Sequence, residues 1–242
     1  MRLKITLKSK TNYLKIPFNY NHWLSAIIYK KIDDLNLSQK LHSSTSFKFF
    51  TFSQINVPFK KITKTGIISK NGVINFYISS SNDYLIKSMV NGYLNDLKIN
   101  FGNHILFVEK IELIPEIKIN NKMKFNTISP IIVRTKKEIN GKLKIWDLSP
   151  SPDFFKGLEK NLVKKFNSFN NSNITDKIFI SSDMRNVKRK RIGIKKDNNY
   201  IYQRAYMMDL ILEGDPKLIK FAYDAGIGEK NSMGFGMLDV FN

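Results

Sequence analysis

The sequence predicts an α+β protein of two tandem ferredoxin-like (RRM-like) domains, each with the element order β-α-β-β-α-β. The chain has 242 residues, which suits two domains of ordinary size. Apolar residues recur every two residues in the predicted strands and every 3.6 residues in the predicted helices, and this series of strands and helices occurs twice. A thin polar stretch, PEIKINNK, separates the two series and places the domains at residues 1–117 and 118–242.

The first domain opens with a strand at 2–7, where polar and apolar residues alternate. Apolar residues then recur at 3.6-residue spacing from about Tyr20 to Leu35 and predict a helix. A strand follows at 46–53 in SFKFFTFS. Asn71-Gly72 between two apolar runs is a strong hairpin signal.

The second helix of this domain is predicted from its cap and its apolar face. Ser81 or Asn82 can cap it, and Leu85, Met89 and Tyr93 lie on one side. Strand sequence resumes at 98–113 and completes the first series.

The second domain repeats the order. A strand is predicted at 125–135, with an Asn140-Gly141 turn beyond it. The segment SPSPD caps a helix over 153–169. Later strands are predicted at 177–181, 187–195 and 200–212, the last two joined by a polar DNN turn. Asp215-Pro216 opens the second helix, Gly226 ends it, and FGMLDVF is the final strand.

Composition excludes several classes of protein. There is no cysteine, so disulfides, thiolate metal sites and a cysteine nucleophile are excluded. No apolar run approaches the length of a membrane span, and the first ten residues alternate like a strand where a signal peptide would be apolar. A globular, cytoplasmic protein is expected.

The net charge of +20 points to a polyanionic partner, either nucleic acid or an anionic membrane surface. Heavy use of lysine, asparagine and isoleucine is also what AT-rich coding produces. Arginine is more informative, because four of the six arginines lie within twenty residues: Arg185, Arg189, Arg191 and Arg204. No amphipathic apolar face accompanies these cations, which favours nucleic acid over a membrane.

The segment GIGEKNSMGFGML contains four glycines in eleven residues, at Gly226, Gly228, Gly234 and Gly236. Its spacing does not fit a Walker A loop, and it follows a helix where a dinucleotide-binding loop precedes one. Two interpretations stay open. It is either a tight turn packed against the sheet, or a loop whose amides approach another backbone closely, with Lys230 as an added cation.

This glycine-rich segment resembles the C-terminal motif of the CRISPR-associated endoribonucleases that cut precursor crRNA within its repeats, the Cas6 family of the RAMP superfamily. IPFNYNHWLSAIIYK and LHSSTSFKFFTFS carry the resemblance near the N-terminus, and the spacing between all three segments agrees. The resemblance covers essentially the whole chain. It implies two tandem ferredoxin-like domains, in accord with the order predicted above.

The resemblance implies that His42 is the catalytic histidine, Tyr29 its tyrosine partner and Lys48 its lysine. The reaction it implies is a transesterification without metal or other cofactor. The 2′-hydroxyl upstream of the scissile bond attacks phosphorus and leaves a 2′,3′-cyclic phosphate and a 5′-hydroxyl. Some members lack the histidine, which leaves open a non-catalytic RAMP subunit that holds crRNA or repeat RNA.

The residue types suit this chemistry. Histidine transfers protons near neutral pH, and lysine can stabilise an over-charged phosphorane. His42 is predicted to be presented by a polar loop, LHSSTS. His22 is the competing histidine because it shares a helix face with Ser25 and Tyr29, although it is better explained as part of the helix start. His104, in a predicted hairpin, is expected to be structural.

The segment MRNVKRKRIGIKK, residues 184–196, carries seven basic residues and no acid, and predicts an RNA-binding hairpin. Strand alternation places Lys188, Lys190 and Ile192 on one side and Arg189, Arg191 and Gly193 on the other. The predicted RNA-binding residues are Arg185, Lys188, Arg189, Lys190, Arg191, Lys195, Gly226, Gly228, Lys230, Gly234 and Gly236. Precursor crRNA is the expected partner. A CRISPR effector complex and a second copy of the chain are further partners that the resemblance leaves open, and a membrane is not expected.

Overall fold

The structure of the chain, a computed structural model, describes residues 1–43, 47–175, 177–196 and 199–241. Of residues 42, 43, 139 and 196 it describes the backbone only. None of the helices in these ranges is long and apolar enough to cross a membrane.

The N-terminal half forms an antiparallel sheet of five strands. Its elements are β1 Arg2–Ser9, β2 Leu14–Pro17, α1 Asn21–Lys30, α2 Leu35–Ser43, β3 Phe50–Phe52, β4 Lys60–Ile62, β5 Gly66–Ser69, β6 Val73–Ser80, α3 Asp83–Asn95, β7 Lys98–Phe101 and β8 His104–Ile114. The strand order is β3-β6-β1-β8-β7, and its first four strands have ferredoxin-like topology. Apolar residues of α1 and α3 pack on β1 and β6 in one core.

The C-terminal half repeats this topology. Its elements are β9 Lys122–Thr127, β10 Arg134–Ile139, β11 Lys142–Asp147, α4 Pro152–Asn170, β12 Ile178–Ser181, β13 Lys188–Lys196, β14 Asn199–Met207, β15 Asp209–Gly214, α5 Pro216–Ala225 and β16 Leu238–Val240. The main sheet has the order β12-β15-β9-β16. α4 and α5 pack on it around Phe125, Leu158 and Leu210. The predicted α+β fold of two ferredoxin-like units is therefore confirmed.

Two hairpins of the C-terminal half and a small sheet of the N-terminal half lie outside the main sheets. β10 pairs with β11 through a turn at Asn140 and Gly141, which have φ of 52° and 70°. β13 pairs with β14 in the basic hairpin. Two residues of its predicted turn, Asp197 and Asn198, lie outside the described residues. The small sheet has the order β2-β5-β4.

Side-chain caps start three helices where the sequence predicted them. Asn82 accepts a hydrogen bond from the Leu85 amide at the start of α3. Ser151 caps α4, and Asp215 caps α5 immediately before Pro216. Each cap satisfies an amide that has no partner within its helix, which fixes where the helix begins.

The first helix is shorter than its periodicity predicted. The chain turns inward at Lys31. The Lys31 ammonium donates to the carboxylate of Asp96, the residue that follows α3, at 2.9 Å. Asp34 Oδ1 then accepts from the Leu37 amide at 2.9 Å and starts a new helix, α2. Leu41 of α2 packs against the core. The prediction that His42 lies in a polar loop is therefore wrong, because its backbone belongs to α2.

Three strand predictions also need correction. The turn at Asn71-Gly72 does not join a hairpin, because β5 pairs with β2 and β4 while Asn56 exchanges backbone hydrogen bonds with Asn75 of β6. The predicted strand at 200–212 is two strands, separated where the Met208 amide donates to Thr127 Oγ1 at 2.9 Å. The predicted strand at 125–135 ends at Thr127, and β10 starts only at Arg134.

Buried polar contacts join the two halves. Arg2 of β1 is 4% exposed and donates to the carbonyls of Leu238 at 2.6 Å and Tyr223 at 3.1 Å. Its guanidinium also pairs with Asp239 at 3.0 Å. On β3, Thr51 Oγ1 donates to the Phe235 carbonyl at 2.8 Å. The segment from α5 to β16 is thus fixed to the N-terminal sheet.

Replacing Gly236 with alanine should destabilise the protein severely. A Cβ there would lie 1.8 Å from the Ile227 carbonyl oxygen, and Gly236 has a φ of 73°. Gly141 is a matched control, because its φ is 70° and nothing lies within 4 Å of its added Cβ. We expect Gly141→Ala to cost about 1–2 kcal/mol, the price of left-handed backbone alone. Gly236→Ala should cost clearly more in urea unfolding of the full chain. Equal losses would contradict the packing described.

Candidate functional site

The glycine loop, residues 226–238, connects α5 to β16 and contains a 3₁₀ turn, Asn231–Met233. Its four glycines have φ of 83°, 69°, 82° and 73°. The amides of Gly226, Gly234 and Gly236 donate to the carbonyls of Ala222, Asn231 and Pro130. These three amides therefore hold the loop in shape, and the glycines are buried.

Close contacts explain why glycine is needed. An added Cβ on Gly234 would lie 2.4 Å from the Phe52 ring, and one on Gly226 would lie 2.9 Å from Thr51. Both neighbours belong to β3 in the N-terminal half. The geometry supports the first of the two interpretations, a tight turn packed against the sheet, because the loop backbone lies against β3. Lys230 is half-buried, and its ammonium donates to Gln203 Oε1 of β14 at 2.8 Å.

Lys165 of α4 anchors the glycine loop from inside the C-terminal half. It is 1% exposed, and its amino group donates to the carbonyls of Gly226 at 2.6 Å and Gly228 at 3.2 Å and to Asn231 Oδ1 at 2.8 Å. Burial lowers the pKa of Lys165 to about 7, opposed by the negative charge of Glu229. Asn231 extends the network by donating to the carbonyls of Ile227 and Phe235.

One face of α1 binds the outer side of this loop. Asn21 Nδ2 donates to the Met233 carbonyl at 3.0 Å, and Ser25 Oγ donates to the Ser232 carbonyl at 3.0 Å. Tyr29, one turn further along, forms a hydrogen bond with the Ser232 side chain. Burial raises the pKa of Tyr29, and this hydrogen bond partly offsets the rise. Tyr29 therefore keeps its hydroxyl proton at neutral pH.

Lys48 is held beside the same loop by its neighbour Phe49. Phe49 has a φ of 52°, which is rare for a bulky residue. The centre of its ring lies 5.1 Å from that of Phe169 in α4 and 6.3 Å from that of Phe221 in α5, so Phe49 packs, partly buried, against the core of the other half. This arrangement fixes the backbone from which Lys48 extends. Burial lowers the pKa of Lys48.

Lys48 and the glycine loop line one cleft, which we call the junction cleft, with a volume of about 660 Å³. Ser232 is shared, because it lines the cleft and bonds Tyr29. Of the three predicted catalytic residues, Lys48 thus lines the cleft and Tyr29 adjoins it through Ser232. Arg134 also lines the cleft and is held by Glu229, with Arg134 Nε donating to Glu229 Oε2 at 2.7 Å.

The third predicted catalytic residue, His42, is the penultimate residue of α2. Its side chain lies outside the described part of the structure. His22, the competing histidine, is the second residue of α1, and its ring contacts Tyr200 edge-on at 6.1 Å. Burial and the positive charge of Lys195 lower the pKa of His22. His104 starts β8 at the hairpin turn, as predicted.

A second cleft, the hairpin groove, lies between the β10-β11 and β13-β14 hairpins and has a volume of about 730 Å³. Arg189, Arg191 and Arg204 line it. Arg134 and Lys230 line both clefts, so the groove and the junction cleft adjoin. The result is a continuous basic path beside Lys48.

The predicted alternation along the basic hairpin matches this arrangement. Arg189 and Arg191 line the groove, whereas Ile192 is buried against Ile132 and Phe235 on the other side. Lys188 and Lys190 share the side of Ile192 and are exposed. Arg185 precedes β13 and is paired with Asp183 at 3.0 Å. Lys195 is exposed near the end of β13, close enough to His22 to affect its pKa.

Several residues of the two clefts were missed by sequence reasoning. Lys165 looked like one more helix lysine, although its spacing from Leu158 and Leu162 already placed it on the buried face of α4. Trp146, Tyr202 and Arg134 belong to hairpins whose groove depends on tertiary packing. Among the described residues, no three acidic, histidine or cysteine side chains are grouped so as to hold a metal ion.

Two family models match the chain. "CRISPR-associated protein Cas6, N-terminal" matches residues 15–112, and "CRISPR associated protein Cas6, C-terminal" matches residues 114–240. The chain belongs to the Cas6 family. The "CRISPR-associated endoribonuclease Cas6 1" of Methanocaldococcus jannaschii is 40% identical over 98% of this chain and 92% of its own length. The similarity to this named endoribonuclease extends over both halves of the chain.

Solved structures of the family have the same fold. One named "CRISPR associated protein Cas6" is 38% identical, with a TM-score of 0.86 over 100% of this chain and 99% of the other. Another, named "An RAMP protein binding different RNA substrates", is 28% identical, with a TM-score of 0.89 over all of both chains. The glycine loop and α1 thus lie in a fold that both of these solved structures share.

Replacing Lys165 with methionine should loosen the glycine loop and destabilise the protein. Methionine fills similar space but leaves the carbonyls of Gly226 and Gly228 without their donor, at a cost of about 1–3 kcal/mol for each buried acceptor. Lys164→Met on the same helix is the control, because Lys164 has its side chain at the cleft surface. Urea unfolding measures both variants, and equal stability of the two would contradict the anchoring role.

The stability deficit of Lys165→Met should also grow as pH rises from 7 to 9. The pKa of Lys165 is about 7 in the folded protein and near 10.4 in an unfolded chain. Between these values the unfolded state binds more protons, so Lys165 adds stability as pH rises. The variant lacks this contribution. A deficit that stays constant across this range would show that burial does not depress the pKa.

Proposed function

We propose that this chain is a metal-independent endoribonuclease that cleaves precursor CRISPR RNA within its repeats at the junction cleft. The observation that carries the proposal is the convergence of Tyr29, Lys48 and the glycine loop beside a groove lined with arginines, in a chain of the Cas6 family. The similarity to a named CRISPR-associated endoribonuclease supports the choice of substrate.

The proposed reaction is attack by a ribose 2′-hydroxyl on the adjacent phosphorus. A bond forms between O2′ and phosphorus, and the bond between phosphorus and O5′ breaks. A base accepts the proton of the 2′-hydroxyl, and an acid supplies one to the leaving 5′-oxygen. The products carry a 2′,3′-cyclic phosphate and a 5′-hydroxyl, and the balance needs no water, metal or oxidant.

Two described residues fit parts of this reaction. Lys48 supplies a positive charge at the cleft for the phosphorane, whose extra negative charge makes a cation most effective in the transition state. Tyr29 keeps its proton at neutral pH, since a tyrosine pKa is ordinarily near 10 and burial raises it further, so its hydroxyl can donate a hydrogen bond to a phosphate oxygen. Its contact with Ser232 sets its orientation.

His42 is proposed as the proton-transfer residue. Its position on α2 follows Leu41, which packs against the N-terminal core, so its backbone belongs to an ordered helix. Such a helix places a proton-transfer group more reproducibly than a loop does. A histidine of ordinary pKa can serve as either acid or base near pH 7.

A non-catalytic RNA-binding subunit is the second candidate. The observation that favours it is the relative named "An RAMP protein binding different RNA substrates", which has nearly the same fold. Such a protein would use the basic path to hold crRNA or repeat RNA. An effector complex that receives the RNA and a homodimer remain further proposals for its partners.

Replacing His42 with alanine should reduce cleavage of the chain's own CRISPR repeat RNA by about 10²- to 10⁴-fold, the usual contribution of a proton-transfer group. Binding of the RNA should be retained, and wild-type cleavage should continue in EDTA. His104→Ala and His22→Ala are the controls and should retain cleavage. Loss of activity on chelation would contradict the mechanism, whereas wild-type protein that binds but never cuts would support the non-catalytic alternative.

Replacing Arg189 and Arg191 together with alanine should weaken RNA binding more than replacing Lys188 and Lys190. Both pairs remove two charges from β13, but only the arginines line the hairpin groove. The arginine variant should also show a salt dependence of affinity reduced by about 0.7 in log–log slope for each lost phosphate contact. Filter binding at several salt concentrations measures this. Equal effects of the two variants would place the RNA elsewhere.

A further inference from the structure

The hairpin groove exposes aromatic and aliphatic side chains that have no packing partner in the core. Trp146 is 48% exposed and Tyr202 is 46% exposed, and Ile145 and Ile201 beside them are exposed to a similar degree. All four line the groove. Large apolar side chains exposed together in a concave, basic surface indicate a ligand with its own flat apolar faces.

One cation lies over an aromatic ring of the groove, and further cations line the groove. The Arg191 guanidinium lies 3.9 Å from the centre of the Tyr202 ring. Arg189 and Arg204 line the same groove. Asp147 also lines the groove. Its carboxylate accepts a hydrogen bond from the Arg204 amide at 2.8 Å and so joins the two hairpins. The groove therefore offers aromatic faces and positive charge on a framework held in place.

This combination suits unpaired nucleotides. An unpaired base has two open faces that stack on aromatic rings and guanidinium planes, while its phosphate meets the cations. In an A-form duplex the base faces are covered by their neighbours, and only the backbone and groove edges are open. Arginines alone would serve either form of RNA. Trp146 and Tyr202 favour the single-stranded form.

We propose that the hairpin groove is a base-stacking subsite that holds an unpaired nucleobase of the RNA on Trp146 and Tyr202. The proposal rests on the function proposed above and adds a property of its substrate. Because Arg134 and Lys230 line both clefts, this subsite adjoins the junction cleft. The substrate must therefore be single-stranded, or be opened, where it crosses the hairpin groove.

Tryptophan fluorescence tests the proposal directly, because the chain has two tryptophans. Trp23 packs edge-on against Phe101 at 5.3 Å, so Trp23→Phe leaves Trp146 as the reporter. A mixed-sequence single-stranded RNA of twelve 2′-O-methyl nucleotides, which cannot be cleaved by 2′-hydroxyl attack, should quench it saturably. The same RNA paired with its complement should quench it several-fold less at equal occupancy. Equal quenching by both, or no quenching, would overturn the proposal.

Substitutions provide the second test. Trp146→Leu and Tyr202→Leu should each weaken single-strand binding by about tenfold, and Trp146→Phe and Tyr202→Phe should restore most of it. The slope of affinity against salt should not change, whereas a lost phosphate contact would lower it. Leu143→Ala on the same strand as Trp146 is the control, because Leu143 is 64% exposed and does not line the groove. Loss in the phenylalanine variants equal to that in the leucine variants would also overturn the proposal.

The two proposals can fail separately. Quenching of Trp146 by single-stranded RNA without any cleavage of repeat RNA would retain the stacking subsite and reject the nuclease. Cleavage of repeat RNA with equal quenching by single strand and duplex would retain the nuclease and reject the subsite.

Discussion

The arrangement of the site depends on how the glycine loop is held between the two halves. Lys165 binds the loop from inside the C-terminal half, and Asn21 and Ser25 bind it from α1 of the N-terminal half. Burying an amino group is costly, and the lowered pKa of Lys165 reflects this cost. Three hydrogen bonds and the nearby charge of Glu229 offset it. Tyr29 then meets Ser232 because both sides of the loop are fixed.

This dependence explains why a loop rich in glycine is rigid here. Positive φ at the four glycines lets the backbone run close to Phe52, Thr51 and the Ile227 carbonyl, where any side chain would collide. The loop contributes shape and hydrogen-bond acceptors to the site, and the charges come from its neighbours. Positive charge at the junction cleft comes from Lys48 on one half and from Arg134, Lys164 and Lys230 on the other.

Much of the fold could be predicted from sequence because its signals are local. The caps at Asn82, Ser151 and Asp215 were found because each satisfies amides within one helical turn. α2 was missed because the inward turn at Lys31 depends on Asp96, which is distant in sequence. The Asn71-Gly72 turn was found, but its strand partners were not, since pairing with Asn56 and β2 is decided by tertiary structure. The resemblance named Tyr29 and Lys48, whereas the groove around Trp146 exists only once two hairpins pack together.

We propose that the junction cleft directs a 2′-hydroxyl against its neighbouring phosphate. The most direct measurement uses the chain's own repeat RNA with a single 2′-deoxy nucleotide immediately upstream of the cleavage site. If the 2′-hydroxyl is the nucleophile, this RNA binds with unchanged affinity and gives no product, while an RNA with a 2′-deoxy substitution one nucleotide downstream is cut normally. Cleavage of the upstream-substituted RNA at the usual site would show that another group is the nucleophile.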